Sequence, residues 1–248
     1  MRYIIGRVLK NIPFINKIWA SFMEFIDFKY YKKYCTGYKI IPFGNYCFPR
    51  VISTLNRFKP TKKYGEESFP LDLAFSDFAI NTNLLSTHFK DFFTNIEYKE
   101  DGKYYINSEL KLSFNHDHMP FPEFKERYQK RIDNLYNILQ NQQLHLYFLI
   151  ATFDPISEET IRQFLNEVNK FKQNNTYDLI IINQSKENIK SAYKNVHIID
   201  LTKDTLFDKI NKKGDWVGEL KWMKSRNARK FNSIIKSKLS QIISIGYE

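Results

Sequence analysis

Three short apolar runs in the second half of the chain restrict the fold more than any other feature. Residues 144–150 (LHLYFLI), 178–183 (DLIIIN) and 196–201 (VHIIDL) are too short for helices and continuously hydrophobic. A strand that is apolar on both sides must be covered on both sides. Between the first two runs, residues 157–173 carry helical patterning, opened by Ser157 with Glu159 and Thr160 as a start signal. Strands alternating with helices predict an α/β fold, Rossmann-like, with a parallel sheet and helices on both faces.

A fourth strand belongs to the first half. Residues 38–77 open with Ile40-Ile41-Pro42-Phe43, turn at Gly44-Asn45, and reach Cys47 at the mouth of a helix predicted over 48–58. Pro49 suits the first turn of that helix, where its missing N–H is not needed. A thiol at a helix N-terminus faces partial positive charge, which favours the thiolate. A lone cysteine is also commonly just a small buried hydrophobe, and that reading stands beside the reactive one. The stretch Ser68-Phe69-Pro70-Leu71-Asp72 then places one carboxylate in an apolar setting.

Between these strands, 81–93 reads as a helix, and 96–98 and 104–106 form a hairpin turning at Asp101-Gly102. A short strand over 110–114 ends in Asn115-His116-Asp117-His118, and 121–141 is a charged amphipathic helix. A basic helix over about 218–243 closes the chain. The simplest division is an N-terminal extension, 1–36, and one α/β domain, 37–248.

The extension carries Ile4, Val8, Ile12, Ile15, Trp19, Phe22 and Ile26 at helical spacing, with a break expected at Pro13. Arg2, Arg7, Lys10, Lys17, Lys29, Lys32 and Lys33 outnumber Glu24 and Asp27. A basic amphipathic helix of this kind suits either peripheral contact with an acidic membrane or packing on its own domain. The whole chain has 38 Lys and Arg against 27 Asp and Glu, a net charge of +11. That balance favours an anionic substrate or glycan as partner. No nucleic-acid motif accompanies the charge, so nucleic acid is disfavoured. Cys35 and Cys47 do not resemble a secreted disulfide framework and point to a reducing, cytoplasmic compartment, with the inner face of the cell membrane as the place of any lipid contact. No apolar run is long enough to cross a bilayer.

In an open parallel sheet, ligands bind beyond the carboxyl ends of the strands. Asn45 and Cys47 follow the first strand, Asp154 the second, and Asn183 ends the third, so one rim collects them. His116 is the leading general base for Cys47 and His118 the second, with Asp72 or Asp154 to orient the ring. Asp117, His116 and His118 as metal ligands would need a fourth donor that the sequence does not offer. Dinucleotide, Walker and serine-hydrolase motifs are absent, so no cofactor is expected.

The order GNYC (44–47), SFPLD (68–72), THFKDFF (87–93), FNHDH (114–118), FKERYQKRIDNLYNIL (124–139), LHLYFLI (144–150) and Trp216-x5-Trp222 resembles a bacterial family described as papain-like cysteine peptidases. The resemblance covers roughly residues 38–236. It implies Cys47 as nucleophile, His116 as base and Asp117 as its neighbour in a His-Asp pair. It also implies an association with cell-surface polysaccharide. Leu73 stands where that family carries Trp, and a papain fold is not the doubly wound sheet that the periodicity predicts. Two readings follow: a Cys-dependent hydrolase or acyl transferase, and a glycosyltransferase-like or nucleotide-sugar-binding protein. A non-catalytic partner in envelope-glycan assembly is a third.

Overall fold

A computed structural model describes residues 13–44, 46–172, 176–201 and 223–245. The fold is α/β. Its centre is a parallel sheet of four strands, β1 (Tyr38–Pro42), β5 (His145–Thr152), β6 (Tyr177–Asn183) and β7 (Val196–Asp200), in the spatial order β1-β5-β6-β7. The order follows the chain without reversal. A second, antiparallel sheet joins β2 (Ile96–Lys99), β3 (Tyr104–Asn107) and β4 (Leu112–Phe114). Its edge touches the main body through a bridge between Phe75 and Ser113.

Helices lie on both faces, because alternate residues of each central strand point to opposite sides. Ile41, Phe148, Ile150, Leu179 and Ile181 face one core. It is closed by α3 (Phe78–Ser86), α4 (Phe121–Gln140) and α5 (Glu158–Asn169). Ile40, Tyr147, Leu149, Ile180, Ile182 and Ile199 face the other core. There they meet α1 (Pro13–Tyr34), α2 (Phe48–Leu55) and α6 (Arg226–Ile245). Phe148 is fully buried and packs edge-on against Phe43 and Phe164. Truncating such a ring to Ala costs about 3–5 kcal/mol.

The predicted strands all form, within two residues of their expected ends. The helix expected over 81–93 does not. Asp77 caps α3 through Ile80 N–H at 2.7 Å, and the helix runs only to Ser86. His88 and Phe89 then adopt left-handed backbone (φ 54° and 56°), which ends it. Leu84, Leu85, Phe89 and Phe92 are nevertheless buried in one cluster, so the apolar pattern was a turn-rich segment folded onto the core. Likewise α2 stops at Leu55, and Arg57 turns left-handed. α5 starts at the expected Ser157 cap, whose hydroxyl accepts from Thr160 N–H at 3.1 Å.

The N-terminal segment is less separate than its composition suggests. Tyr31 and Cys35 belong to the second core, and Arg57 pairs with Asp27. The described helix begins at Pro13. The apolar positions 4, 8 and 12, the bases Arg2, Arg7 and Lys10, and Trp216 and Trp222 lie outside the described residues.

Candidate functional site

The carboxyl ends of β1, β5 and β6 make one rim. Phe43 N–H still bonds Leu149 at 2.9 Å, and Gln184 N–H bonds Thr152 at 2.8 Å, so the three ends stay in register. Gly44 has φ +87°, a conformation that L side chains rarely adopt. A Cβ there would collide with the Asn81 amide and lie 2.7 Å from Ser76 Oγ. Asn81 uses that close approach to donate to the Phe43 carbonyl at 2.9 Å. Its own carbonyl oxygen and the Ser76 hydroxyl are buried without a hydrogen-bond partner.

Tyr46 and Cys47 follow. Tyr46 is buried, and its hydroxyl donates to Gln184 Oε1 on the neighbouring rim segment. Burial, with Cys47 close by, raises this phenol well above its ordinary range. The Tyr46 ring stacks on Phe153 (centroids 5.0 Å apart, 12° between planes) and lies 6.4 Å from Phe75. Phe75 and Phe153 are both exposed. The rim therefore presents two aromatic faces held by a buried third. The Gln184 side-chain amide nitrogen is also buried without a partner.

Cys47 is the N-cap residue of α2, as expected from the strand–turn–helix pattern, and it is buried. One turn further on, Arg50 enters a buried charge network. It ion-pairs with Glu66 and with Asp72 at 3.3 Å. Lys59 approaches Glu66 at 3.9 Å and donates to the Ile40 and Glu67 carbonyls at 3.3 and 3.0 Å. Burial draws the Lys59 amine down from 10.5 to about 8. Arg131 lies within electrostatic range of Arg50, its guanidinium 4.5 Å from the Tyr128 ring centre and its Nη1 buried without a hydrogen bond. With Lys39, which pairs with Glu67 at 3.3 Å, four bases (Lys39, Arg50, Lys59 and Arg131) meet three carboxylates (Glu66, Glu67 and Asp72), so the network beside β1 is cationic by one charge.

The remaining expected site residues divide. Asp72 is buried but serves Arg50. Asp117 turns inward, accepting from the Tyr128 hydroxyl at 2.7 Å and Arg127 at 2.8 Å, while His116 is exposed beside it. His118 is exposed and its Nδ1 meets the Lys103 carbonyl. His88 stacks on Tyr136. His145 and His197 bracket Asp178 at 2.6 and 2.7 Å, at the amino ends of their strands, away from the rim. Among the described residues, the hydrogen bonds found for the histidine rings are those of His118, His145 and His197, and they go elsewhere than to Cys47.

Asp154 lies on the rim, exposed, with its backbone N–H bonded to the Thr152 hydroxyl at 3.1 Å. Asn183 is fully buried and occupied locally. Its amide donates to the Glu187 carbonyl at 2.8 Å, and its oxygen accepts from Ser185 N–H and Oγ at 3.0 and 2.7 Å. It shapes the turn that presents Gln184. Asn45 lies outside the described residues. Tyr46, Phe75, Phe153 and Gln184 are the rim groups that sequence reasoning passed over. Three of them adjoin residues it singled out, at Cys47, Asp154 and Asn183. No group of three or more His, Cys, Asp or Glu among the described residues is arranged to hold a metal ion.

No family model, curated protein or solved structure matches this chain.

Proposed function

We propose that the protein binds a phosphorylated or nucleotide-linked sugar beyond the carboxyl ends of its parallel sheet, using the sheet in the manner of Rossmann-like proteins. The observation that carries this reading is the rim itself. Tyr46 is fixed by Gln184 between two exposed aromatic rings, Phe75 and Phe153. Exposed aromatic faces stack on planar or apolar ring faces of a ligand, and a few convergent polar groups orient it. The buried Gln184 amide and the Ser76 hydroxyl are unmet polar groups of that kind. The cationic network reached through Arg50 and the overall charge of +11 favour a phosphate on the same ligand. A glycan-type ligand also agrees with the polysaccharide association that the family resemblance implies.

Titration calorimetry with a nucleoside-diphosphate hexose, the nucleoside diphosphate alone and inorganic phosphate tests this. The sugar nucleotide should bind most tightly, and Phe153→Ala should weaken it about tenfold, in line with loss of about one stacking contact. Equal affinity in the variant, or no binding of any probe, refutes the assignment.

A Cys47-dependent hydrolysis or acyl transfer is the second reading. The position of Cys47 at the N-terminus of α2 favours it, since that end stabilises a thiolate. It requires an imidazole brought to the thiol by substrate, with His116 the candidate. Alkylation rates across pH decide: Cys47 should react ahead of Cys35, whose thiol burial pushes up. Equal rates at the two remove the nucleophile.

A further inference from the structure

Helix α1 has two faces of opposite character. Its acidic residues, Glu24 and Asp27, are both occupied by the domain. Glu24 pairs with Lys63 and its carbonyl accepts from the Tyr64 hydroxyl at 2.9 Å, while Asp27 pairs with Arg57. Tyr31 and Cys35 continue this inner face into the core. On the other side, Ile18, Phe22 and Phe25 recur at spacings of four and three, and Lys29 and Lys32 continue the same line. At 3.6 residues per turn these five positions fall on one stripe. Ile18 is 56% exposed, Phe22 51% and Phe25 54%. Lys29 Nζ lies 4.6 Å from the centre of the Phe25 ring, where apolar stripe gives way to charge. Phe28, 50% exposed, flanks it.

Docking on the domain thus takes both carboxylates of the described helix and leaves an outer line that is apolar, then cationic. We infer that this line docks the protein on the surface of an anionic lipid bilayer, with α1 lying in the interface. Rings and the isoleucine enter the boundary between headgroups and acyl chains, and the lysines meet lipid phosphates and carboxylates. No described helix is long and apolar enough to cross a membrane. Charge complementarity selects anionic lipid here, because the apolar stripe continues only into lysine.

Co-sedimentation of the full chain with vesicles of phosphatidylcholine containing phosphatidylserine, and of phosphatidylcholine alone, tests the inference at low and high salt. Binding should require phosphatidylserine and weaken with salt. Lys29→Gln with Lys32→Gln should lower partitioning about 25-fold, near fivefold for each charge. Ile18→Ser with Phe25→Ser should remove it while circular dichroism keeps the folded spectrum. Failure of the full chain to sediment with anionic vesicles at low salt overturns the inference, as does wild-type binding by either variant. A dimer that forms with rising concentration and is dissolved by Ile18→Ser with Phe25→Ser, without vesicle binding, would assign the stripe to self-association instead.

Discussion

Replacing Lys59 with methionine removes a charge that the fold buries almost whole. Lys59 is 3% exposed and its amine is held by two backbone carbonyls, by Glu66 and over the Phe69 ring at 4.3 Å. Those contacts do not repay desolvation, and the amine falls from 10.5 to about 8. Between those values the unfolded chain holds a proton that the folded chain has released. Stability must therefore rise with pH across that window. Taking about 1.4 kcal/mol per pKa unit and allowing for partial titration at both ends, the gain from pH 8 to pH 10 is about 2 kcal/mol. Cys35 and Tyr31 work in the opposite direction, because burial raises both and the unfolded chain ionises first. They are common to both proteins and cancel in a difference. Urea denaturation of wild type and Lys59→Met at pH 8, 9 and 10 should give curves that diverge by about 2 kcal/mol in favour of wild type, whatever the offset at pH 8. Parallel pH dependences would show that Lys59 keeps its proton in the fold, and the cationic network would have to be redrawn.

Gly44→Ala should destabilise by about 2–3 kcal/mol in the same assay, from left-handed backbone plus loss of the Asn81 bond to Phe43. The effect should shrink when Asn81 is already alanine. At Asp178, burial pulls the carboxyl up but the hydrogen bonds from His145 and His197 outweigh it, leaving it below 3.8. Its stabilisation is then present above the ordinary carboxylate value and lost as pH falls through the lower folded one, so acid unfolding monitored by circular dichroism should be less steep for Asp178→Asn. Tyr128→Phe, which leaves one buried oxygen of Asp117 without its donor, should lower the urea midpoint by the equivalent of about 1–3 kcal/mol.

The central sheet was legible because its strands, such as Phe148 to Ile150 and Leu179 to Ile182, are apolar on both faces and nothing else accommodates that pattern. Cys47 was placed correctly at its helix for a similar reason, since Gly44 and Pro49 punctuate the backbone on either side. The partners of Asp72 and Asp117 were not legible. Asp72 was expected to orient a histidine and Asp117 entered only as the neighbour of His116 in the pair that the resemblance implies, yet Asp72 meets Arg50 and Asp117 meets Tyr128 and Arg127. Such pairings are fixed by which helices pack together, not by spacing along the chain. The outer stripe of α1 was not legible for a related cause. Aromatic and aliphatic residues occur around most of that helix, and spacing alone does not single out the exposed line through Ile18, Phe22 and Phe25. Only the docking of Glu24, Asp27 and Tyr31 decides which side faces out.

The unreversed strand order also has a consequence in time. β5, β6 and β7 pair with neighbours that follow closely in sequence, whereas β1 must wait for β5 across residues 43–144. Closing so long a loop is entropically expensive and slow compared with the short crossovers. During synthesis the first strand leaves the ribosome well before its partner exists, with Ile40 and Ile41 unpaired. The rim groups Gly44, Tyr46 and Cys47, carried on that strand, should therefore take their places only after β5 and β6 have paired. Pulse-labelled hydrogen exchange during refolding should protect β5 and β6 before β1, and simultaneous protection of all three would contradict that order of events.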